Sequence, residues 1–476
     1  MNPLRSEDEL IPNQAAHIPA AQNAAYPVRE GNRVRPLVDG GPAFTRICEA
    51  VEAASHSVWV TVAFLEKAFR MPGERGSLFD VLDRAAERGI DVRVIFWSEP
   101  DIASQIADEQ HFLACDEHTH FLQARGSKIR ARWDRVAKYC QHQKSWTVDA
   151  GQAGEVAFVG GINLDVGSVS GPGHPRDATI PFGKPVHDLY CEIAGPAATD
   201  VVHNFVQRWN EASEREGPNG IYPDVDTAAD LGFPEKVSPN VGSTTVQITR
   251  SVLPGLYRNS HPTPGGRAYE IADGEYSIKE QYMAAIAAAK RTIYFENQLL
   301  FCPSTIAALG EALGRGVQVV VLVPRVPMSE VTAARQHPRA ALLFESLTAL
   351  DQSDDFTFAG LAANREPGVY EDIYVHAKFA AIDDCWATIG STNTMFRSFK
   401  GDTELNASFW DAELVRALRV QLLNEHFGED TSALDDRAAF ARYREVALEN
   451  RERRMAGNPT QGQIVAMDPD KWARPE

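Results

Sequence analysis

An α/β protein built from two similar halves that share one site is the fold this sequence predicts. Three observations lead there: a long internal repeat, helices alternating with short apolar strands within each copy, and matching polar motifs late in each copy. A chain of 476 residues has room for two such halves, each burying its own core.

The repeat begins with residues 44–69, FTRICEAVEAASHSVWVTVAFLEKAF, set against residues 276–301, YSIKEQYMAAIAAAKRTIYFENQLLF. Each reads as an Ala-rich amphipathic helix running into a β-branched and aromatic strand. Next come SLFDVLDRAAERGIDVRVIFW (77–97) and STIAALGEALGRGVQVVVLVP (304–324), each a helix, an Arg-Gly turn and a Val/Ile-rich strand. Gly89 and Gly316 stand where a helix closes in the left-handed conformation. Later, DLYCEIAGPAATDVVHNFVQRWN from Asp188 and ELNASFWDAELVRALRVQLLNEHF from Glu404 each predict a strand followed by a helix. Copies this long imply two units related by a pseudo-twofold axis, with the shared site at their interface.

The expected division is an N-terminal extension over 1–32, a first half over 33–214, and a Pro/Gly/Asp-rich linker over 215–245. A second half over 246–430 and a C-terminal helix and tail over 431–476 complete it, the tail fraying from about Asn450.

Composition narrows the function classes. Hydrophobic residues are 44% and charged residues 24%, a globular profile. A net charge of −18 and a pI near 5.2 disfavour a nucleic-acid partner. Six cysteines without a C-x-x-C pair suggest neither a disulfide framework nor a zinc site. The N-terminus lacks an apolar signal core, and no apolar run reaches the ~18–20 residues that span a bilayer. These observations predict a soluble monomer without a transmembrane segment, cytoplasmic or exported without a cleavable signal peptide.

His142, Lys144 and Asn163 recur in order as His376, Lys378 and Asn393. In extended chain, positions i and i+2 point the same way, so each His-x-Lys aims an imidazole and an ammonium at one place. The Gly-Gly or Gly-Ser pair before each Asn allows close backbone approach. One imidazole, one cation and one amide, doubled, make a pocket for a tetrahedral phosphate.

HQKSWTVDAGQAGEVAFVGGIN (142–163) and HAKFAAIDDCWATIGSTN (376–393) are two copies of H-x-K-x4-D followed by G-[GS]-x-N, and the pattern resembles the phospholipase D superfamily. The resemblance covers about residues 33–430; the second copy has the family spacing, and the first carries a longer turn between Asp149 and Gly160. One such motif is weak evidence, arising by chance in roughly a few per cent of chains this long. Two copies inside a repeat are strong.

The resemblance implies that one histidine attacks phosphorus while the other protonates the leaving alcohol. The N-terminal motif usually supplies the nucleophile, which assigns attack to His142 and acid/base work to His376. An imidazole can be neutral to attack and cationic to donate near one pH. Lys144, Lys378, Asn163 and Asn393 would hold the nonbridging oxygens, with no metal and no cofactor. Asp188 and Glu404, which open equivalent strands, are the expected orienting carboxylates. Asp149 and Asp383 are expected to be structural, at the domain junction.

For the substrate, IYFENQ (293–298) and ITRS (248–251) resemble segments of phospholipases D proper, and the T-P-Y-F-type sequence of bacterial cardiolipin synthases is lacking. The expectation is hydrolysis of glycerophospholipids at a membrane surface, with headgroup exchange possible. The alternatives are a cardiolipin synthase-like transferase, a superfamily nuclease, or a noncatalytic binding module with a vestigial site. Residues 252–277 and 325–344 are the loops expected to rim the cleft and meet lipid.

Overall fold

The computed structural model describes residues 17–99, 111–112, 115–175, 185–223, 229–366 and 368–474. The first half contributes β1 (Arg29–Val38), β2 (Ser57–Val62), β3 (Asp91–Trp97), β4 (Arg130–Asp134), β5 (Ser145–Val148), β6 (Val156–Gly160), β7 (Val186–His187), β8 (Leu189–Ala194) and β9 (Ile221–Tyr222). The second contributes β10 (Thr244–Val252), β11 (Glu275–Tyr276), β12 (Thr292–Asn297), β13 (Leu300–Phe301), β14 (Gln318–Leu322), β15 (Phe356–Glu366) and β16 (Val369–Val375). It continues with β17 (Lys378–Ile382), β18 (Trp386–Gly390), β19 (Thr394–Met395), β20 (Glu404–Trp410) and β21 (Ile464–Ala466).

Strand pairing gives both halves one topology. In the first, neighbours run β1–β8–β6–β5–β2–β3–β4, with β2, β3 and β4 mutually parallel and the others antiparallel. In the second they run β10–β20–β18–β17–β12–β14–β15, with the same three-strand parallel block. The sheets join where β1 also pairs with β10, and where β7 pairs in parallel with β16.

Each sheet buries one face under helices and the other against its partner. Val159, Cys191 and Ile193 of the first half share one apolar cluster with Ile248, Ile389 and Ala407 of the second. The strands therefore read as near-continuous apolar runs, as doubly covered strands do. Helix Leu78–Glu87 starts at a capping box between Ser77 and Asp80 and buries Leu78, Phe79, Val81, Leu82 and Ala85. Gly89 and Gly316 take φ of 88° and 81°, the left-handed conformation expected of them.

Two expectations change. The C-terminal tail does not fray: β21 pairs antiparallel with β15, and the Trp472 side chain is buried with its Nε1–H donating to the Pro324 carbonyl. Burying a large aromatic with its polar atom satisfied holds a polar stretch in place. Residues 252–277 are not a free rim but a clasp on the first half. Tyr257 is fully buried and donates to Asp134 Oδ2 at 3.2 Å, and Asn259 and His261 carbonyls pair with Gln207 and His203.

Candidate active site

The two motif histidines sit in extended chain just before β5 and just before β17, where the halves meet. Each is fixed by the opposite half. The His142 N–H donates to the Thr403 carbonyl at 3.0 Å, and its Nδ1 lies 2.9 Å from Glu404 Oε2. The His376 N–H donates to the His187 carbonyl at 2.8 Å, and its Nδ1 lies 2.6 Å from Asp188 Oδ2. The dyads are thus crossed: first-half histidine with second-half carboxylate, and the reverse. With Nδ1 occupied, each imidazole keeps Nε2 for chemistry.

Lys144 Nζ donates to the His142 carbonyl at 2.8 Å. Lys378 Nζ reaches the His376 carbonyl and also Gln298 Oε1, the latter at 3.1 Å. Both ammoniums are buried. Gly161 lies so close to Asp188 of its own half and Lys378 of the other that a Cβ there would stand 2.6 Å from Asp188 Oδ1 and 2.9 Å from Lys378 Cδ, which is why a larger residue does not fit. The Oδ1 atoms of Asn163 and Asn393 are buried without a hydrogen-bond partner among the described residues. A half-turn of either amide would present N–H donors in the same place.

The structure therefore brings His142, His376, Lys144, Lys378, Asp188 and Glu404 together, while no hydrogen bond among the described residues ties Asn163 or Asn393 to them. Asp149 and Asp383 stand apart. Asp149 accepts from the N–H groups of Ser55, His56 and Ser57, and Asp383 from those of Lys290, Arg291 and Thr292. Each pins the entry of the central strand in its own half, so their place is inside the halves and not at the domain junction. Each follows a strand at positive φ, 55° and 54°, which turns the carboxylate back onto that entry.

Burial and like charge set the electrostatics. Burial, then Lys144 and Lys378, push the His142 imidazole well below its ordinary value; burial, then Lys378 and Lys144, do the same to His376. Burial lifts Asp188 to about 7 and Glu404 to about 8. It lowers Lys378 to about 7, and Lys144 in the same direction. The Asp188 and Glu404 carboxylates partly offset the two buried ammoniums, and burial together with the ammoniums' mutual repulsion still lowers Lys378.

Three neighbours escaped the sequence reading. Phe64 lies edge-on to His142 with ring centroids 6.1 Å apart, and Lys144 Nζ is 5.8 Å from its centroid. Tyr374 stacks beside His376 at 6.3 Å and accepts from Gln298 Nε2 at 3.0 Å, so Gln298 ties Tyr374 to Lys378.

Behind Asp188 lies a set of groups that could hold a metal ion: Asp39, His174, His187 and Glu425. His187 Nδ1 is 3.0 Å and His174 Nε2 3.2 Å from Asp39 Oδ1, while His187 Nε2 pairs with Glu296 at 3.0 Å. Two imidazoles and two carboxylates form a donor set suited to divalent cations, and Asp39 Oδ2 is buried without a hydrogen-bond partner among the described residues. The same contacts also form a self-contained proton-sharing network. Glu66, His111 and Asp165 make a second such group near Asn163.

A family model described as "Cardiolipin synthase, PLD-like domain" matches residues 47–173 and 282–426, spanning both motifs. The chain belongs to the phospholipase D superfamily. A second superfamily model, "Phospholipase D", matches residues 178–308. Among relatives, phospholipase D alpha 2 of Oryza sativa subsp. japonica is 24% identical, over 87% of this chain and 66% of its own length. Phospholipase D A of Dictyostelium discoideum is 25% identical, over 84% of this chain and only 34% of that protein. Cardiolipin synthase 1 of Staphylococcus epidermidis is 24% identical, over 82% and 67%. The chain thus spans two thirds or less of the phospholipase D relatives. Among solved structures, a phosphatidylserine synthase of Haemophilus influenzae superposes with a TM-score of 0.54 at 12% identity, covering 82% of this chain and 85% of that one. That likeness shows a shared fold. Among the described residues no helix is long and apolar enough to cross a membrane.

Proposed function

We propose that the protein is a phospholipase D that hydrolyses glycerophospholipids through a phosphohistidine intermediate. The observation that supports this best is the crossed pair of dyads around two buried lysines: two imidazoles, each held at Nδ1 by a carboxylate of the opposite half.

His142 Nε2 attacks phosphorus and forms the P–N bond, while Glu404 holds the Nδ1 proton and balances the charge that develops on the ring. The P–O bond to the headgroup breaks, and His376 Nε2–H delivers its proton to the departing oxygen. His376, now neutral, takes a proton from water, whose oxygen attacks phosphorus as the P–N bond breaks. Phosphatidate leaves and both dyads return to their starting protonation. Lys144, Lys378, Asn163 and Asn393 hold the nonbridging oxygens, whose charge grows in each transition state.

The choice of phospholipid rests on the IYFENQ and ITRS segments. Gln298, from the first, supports Lys378; Arg250, from the second, is buried between Glu275, Asn204 and Gln207 and locks the halves together. A phosphatidyl-transfer reading draws on the cardiolipin synthase relatives and uses the same intermediate with an alcohol in place of water. One experiment separates the outcomes. Incubation with defined phospholipids should release headgroup and phosphatidate, and added ethanol should divert product to phosphatidylethanol with little change in headgroup release. Cardiolipin formed from phosphatidylglycerol in preference to hydrolysis would favour the transferase, and no headgroup release from any phospholipid would sink the assignment.

The protonation scheme fixes a pH dependence. Attack needs the His142 dyad with one proton, and leaving-group protonation needs the His376 dyad with two. As pH falls the nucleophilic dyad gains a second proton; as pH rises the acidic dyad loses its second, and Lys378 loses its charge. With burial holding Asp188 and Lys378 near 7 and Glu404 near 8, kcat/KM on a soluble phosphodiester should peak between about 7 and 8 and fall on both sides. Lys378→Arg should move the alkaline limb upward. A profile flat through that window, or an unmoved limb, would contradict the scheme.

A further inference from the structure

We propose that a cavity of about 430 Å³ lined by Lys279, Lys400, Tyr276 and Tyr269 is a second phosphate-binding site, distinct from the catalytic pocket. None of the catalytic residues proposed above lines it.

Two ammoniums converge here, and among the described residues neither Lys279 nor Lys400 has a carboxylate within ion-pair distance. Lys400 Nζ stands 3.6 Å from the centre of the Tyr276 ring, a contact that orients the cation and leaves its N–H donors open. The one acid in the lining, Glu280, is committed to the backbone N–H groups of Gln22 and Asn23, at 2.7 and 3.2 Å. The first turn of helix Ser277–Ala288 forms part of the wall, and Tyr276 at its N-cap supplies no side-chain cap. The helix dipole therefore adds to the two lysine charges. Burial and the facing Lys279 charge both lower the Lys400 pKa, the direction an anion between them would reverse. Two cations, two phenols and a helix end fit a multiply charged tetrahedral oxyanion better than a single carboxylate.

The site is wired to the catalytic centre. Lys400 ends a short helix, Phe396–Lys400, and the next four residues run to Glu404. Gly401 packs against the Tyr139 ring, Asp402 accepts from the Cys140 N–H at 2.8 Å, and Thr403 donates to the Cys140 carbonyl at 2.9 Å. An anion that immobilises Lys400 thus stiffens the segment carrying the carboxylate partner of His142. Phe396, two-thirds exposed, starts the same segment.

The anion could be free phosphate or the phosphate of a lipid headgroup, and two arms tell them apart. Both use the full chain bearing His142→Ala, so that lipid is not turned over. Inorganic phosphate titrated calorimetrically should occupy two sites, and Lys279→Ala with Lys400→Ala should remove one. Binding to vesicles of phosphatidylcholine and phosphatidate should weaken in the double variant by about fivefold per lysine. The control replaces Lys236 and Lys471, exposed elsewhere, by Ala and should lose less in both arms. Loss in both arms means the site takes headgroup phosphate; loss in the phosphate arm alone means a soluble phosphate; loss in the vesicle arm alone means a headgroup held only at an interface. In the otherwise wild-type chain, assayed without phosphate or vesicles so that the second site is empty, the double variant should keep kcat/KM on a monomeric soluble phosphodiester within about twofold, since the lysines lie outside the catalytic pocket. No loss in either arm, or an equal loss in the control, overturns the proposal.

Discussion

Replacing either His142 or His376 by alanine should lower turnover of a phospholipid by roughly 10⁴-fold or more while leaving the fold intact. The two losses arise differently. In the proposed scheme, loss of His142 removes the nucleophile and with it the covalent step. Without His376 the leaving alkoxide departs unprotonated, and water later attacks unaided. A substrate with a good leaving group, such as a p-nitrophenyl phosphodiester, separates the roles. His376→Ala should still release one equivalent of nitrophenol in a burst and stall as the phosphoenzyme, whereas His142→Ala should show no burst. Either variant keeping more than about a tenth of normal turnover, with unchanged circular dichroism, would contradict the two-histidine scheme.

The second large effect follows from the crossing of the dyads. Glu404 comes from the second half but holds His142, and Asp188 comes from the first but holds His376. Removing the carboxylate that fixes a catalytic histidine's tautomer has cost about 10⁴ in a well-studied hydrolase triad. Glu404→Gln should therefore behave like His142→Ala, with low turnover and no burst, although the two residues lie in different halves. Asp188→Asn should behave like His376→Ala, with a burst and then a stall. Phenotypes that pair within halves, Glu404 with His376, would show that orientation at Nδ1 is not what these carboxylates supply. The conservative variant Glu404→Asp should recover part of the rate.

Much of this arrangement was legible in the sequence because it is local. His142 and Lys144 are two positions apart, as are His376 and Lys378, and the repeat makes each pair vouch for the other. The repeat also singled out Asp188 and Glu404, since both open the same strand of the fold. Their crossed partnership was not legible, because it depends on how the sheets pack through Val159, Ile193, Ile389 and Ala407. The group behind Asp188 was hidden for a related reason. Asp39, His174, His187 and Glu425 are scattered singly along the chain, and no spacing rule joins them. Asp149 and Asp383 were read as structural from their offset in the motif, but not where they act. That depends on a left-handed turn after the strand, which alternation of side chains along a strand does not reveal. The C-terminal segment misled because Ile464–Ala466 is only three residues long in polar surroundings, and its pairing with β15 is a tertiary fact.

The central claim is a covalent phosphohistidine formed across the interface of two halves, and stereochemistry tests it most directly. A phosphodiester made chiral at phosphorus by oxygen and sulfur isotopes or substitution, turned over by the wild-type chain, reports the number of in-line displacements. Two displacements, the first by His142 and the second by water or alcohol, give net retention of configuration, which is the result expected here. Inversion would mean a single direct attack, would remove the covalent intermediate and would leave His142 as a base.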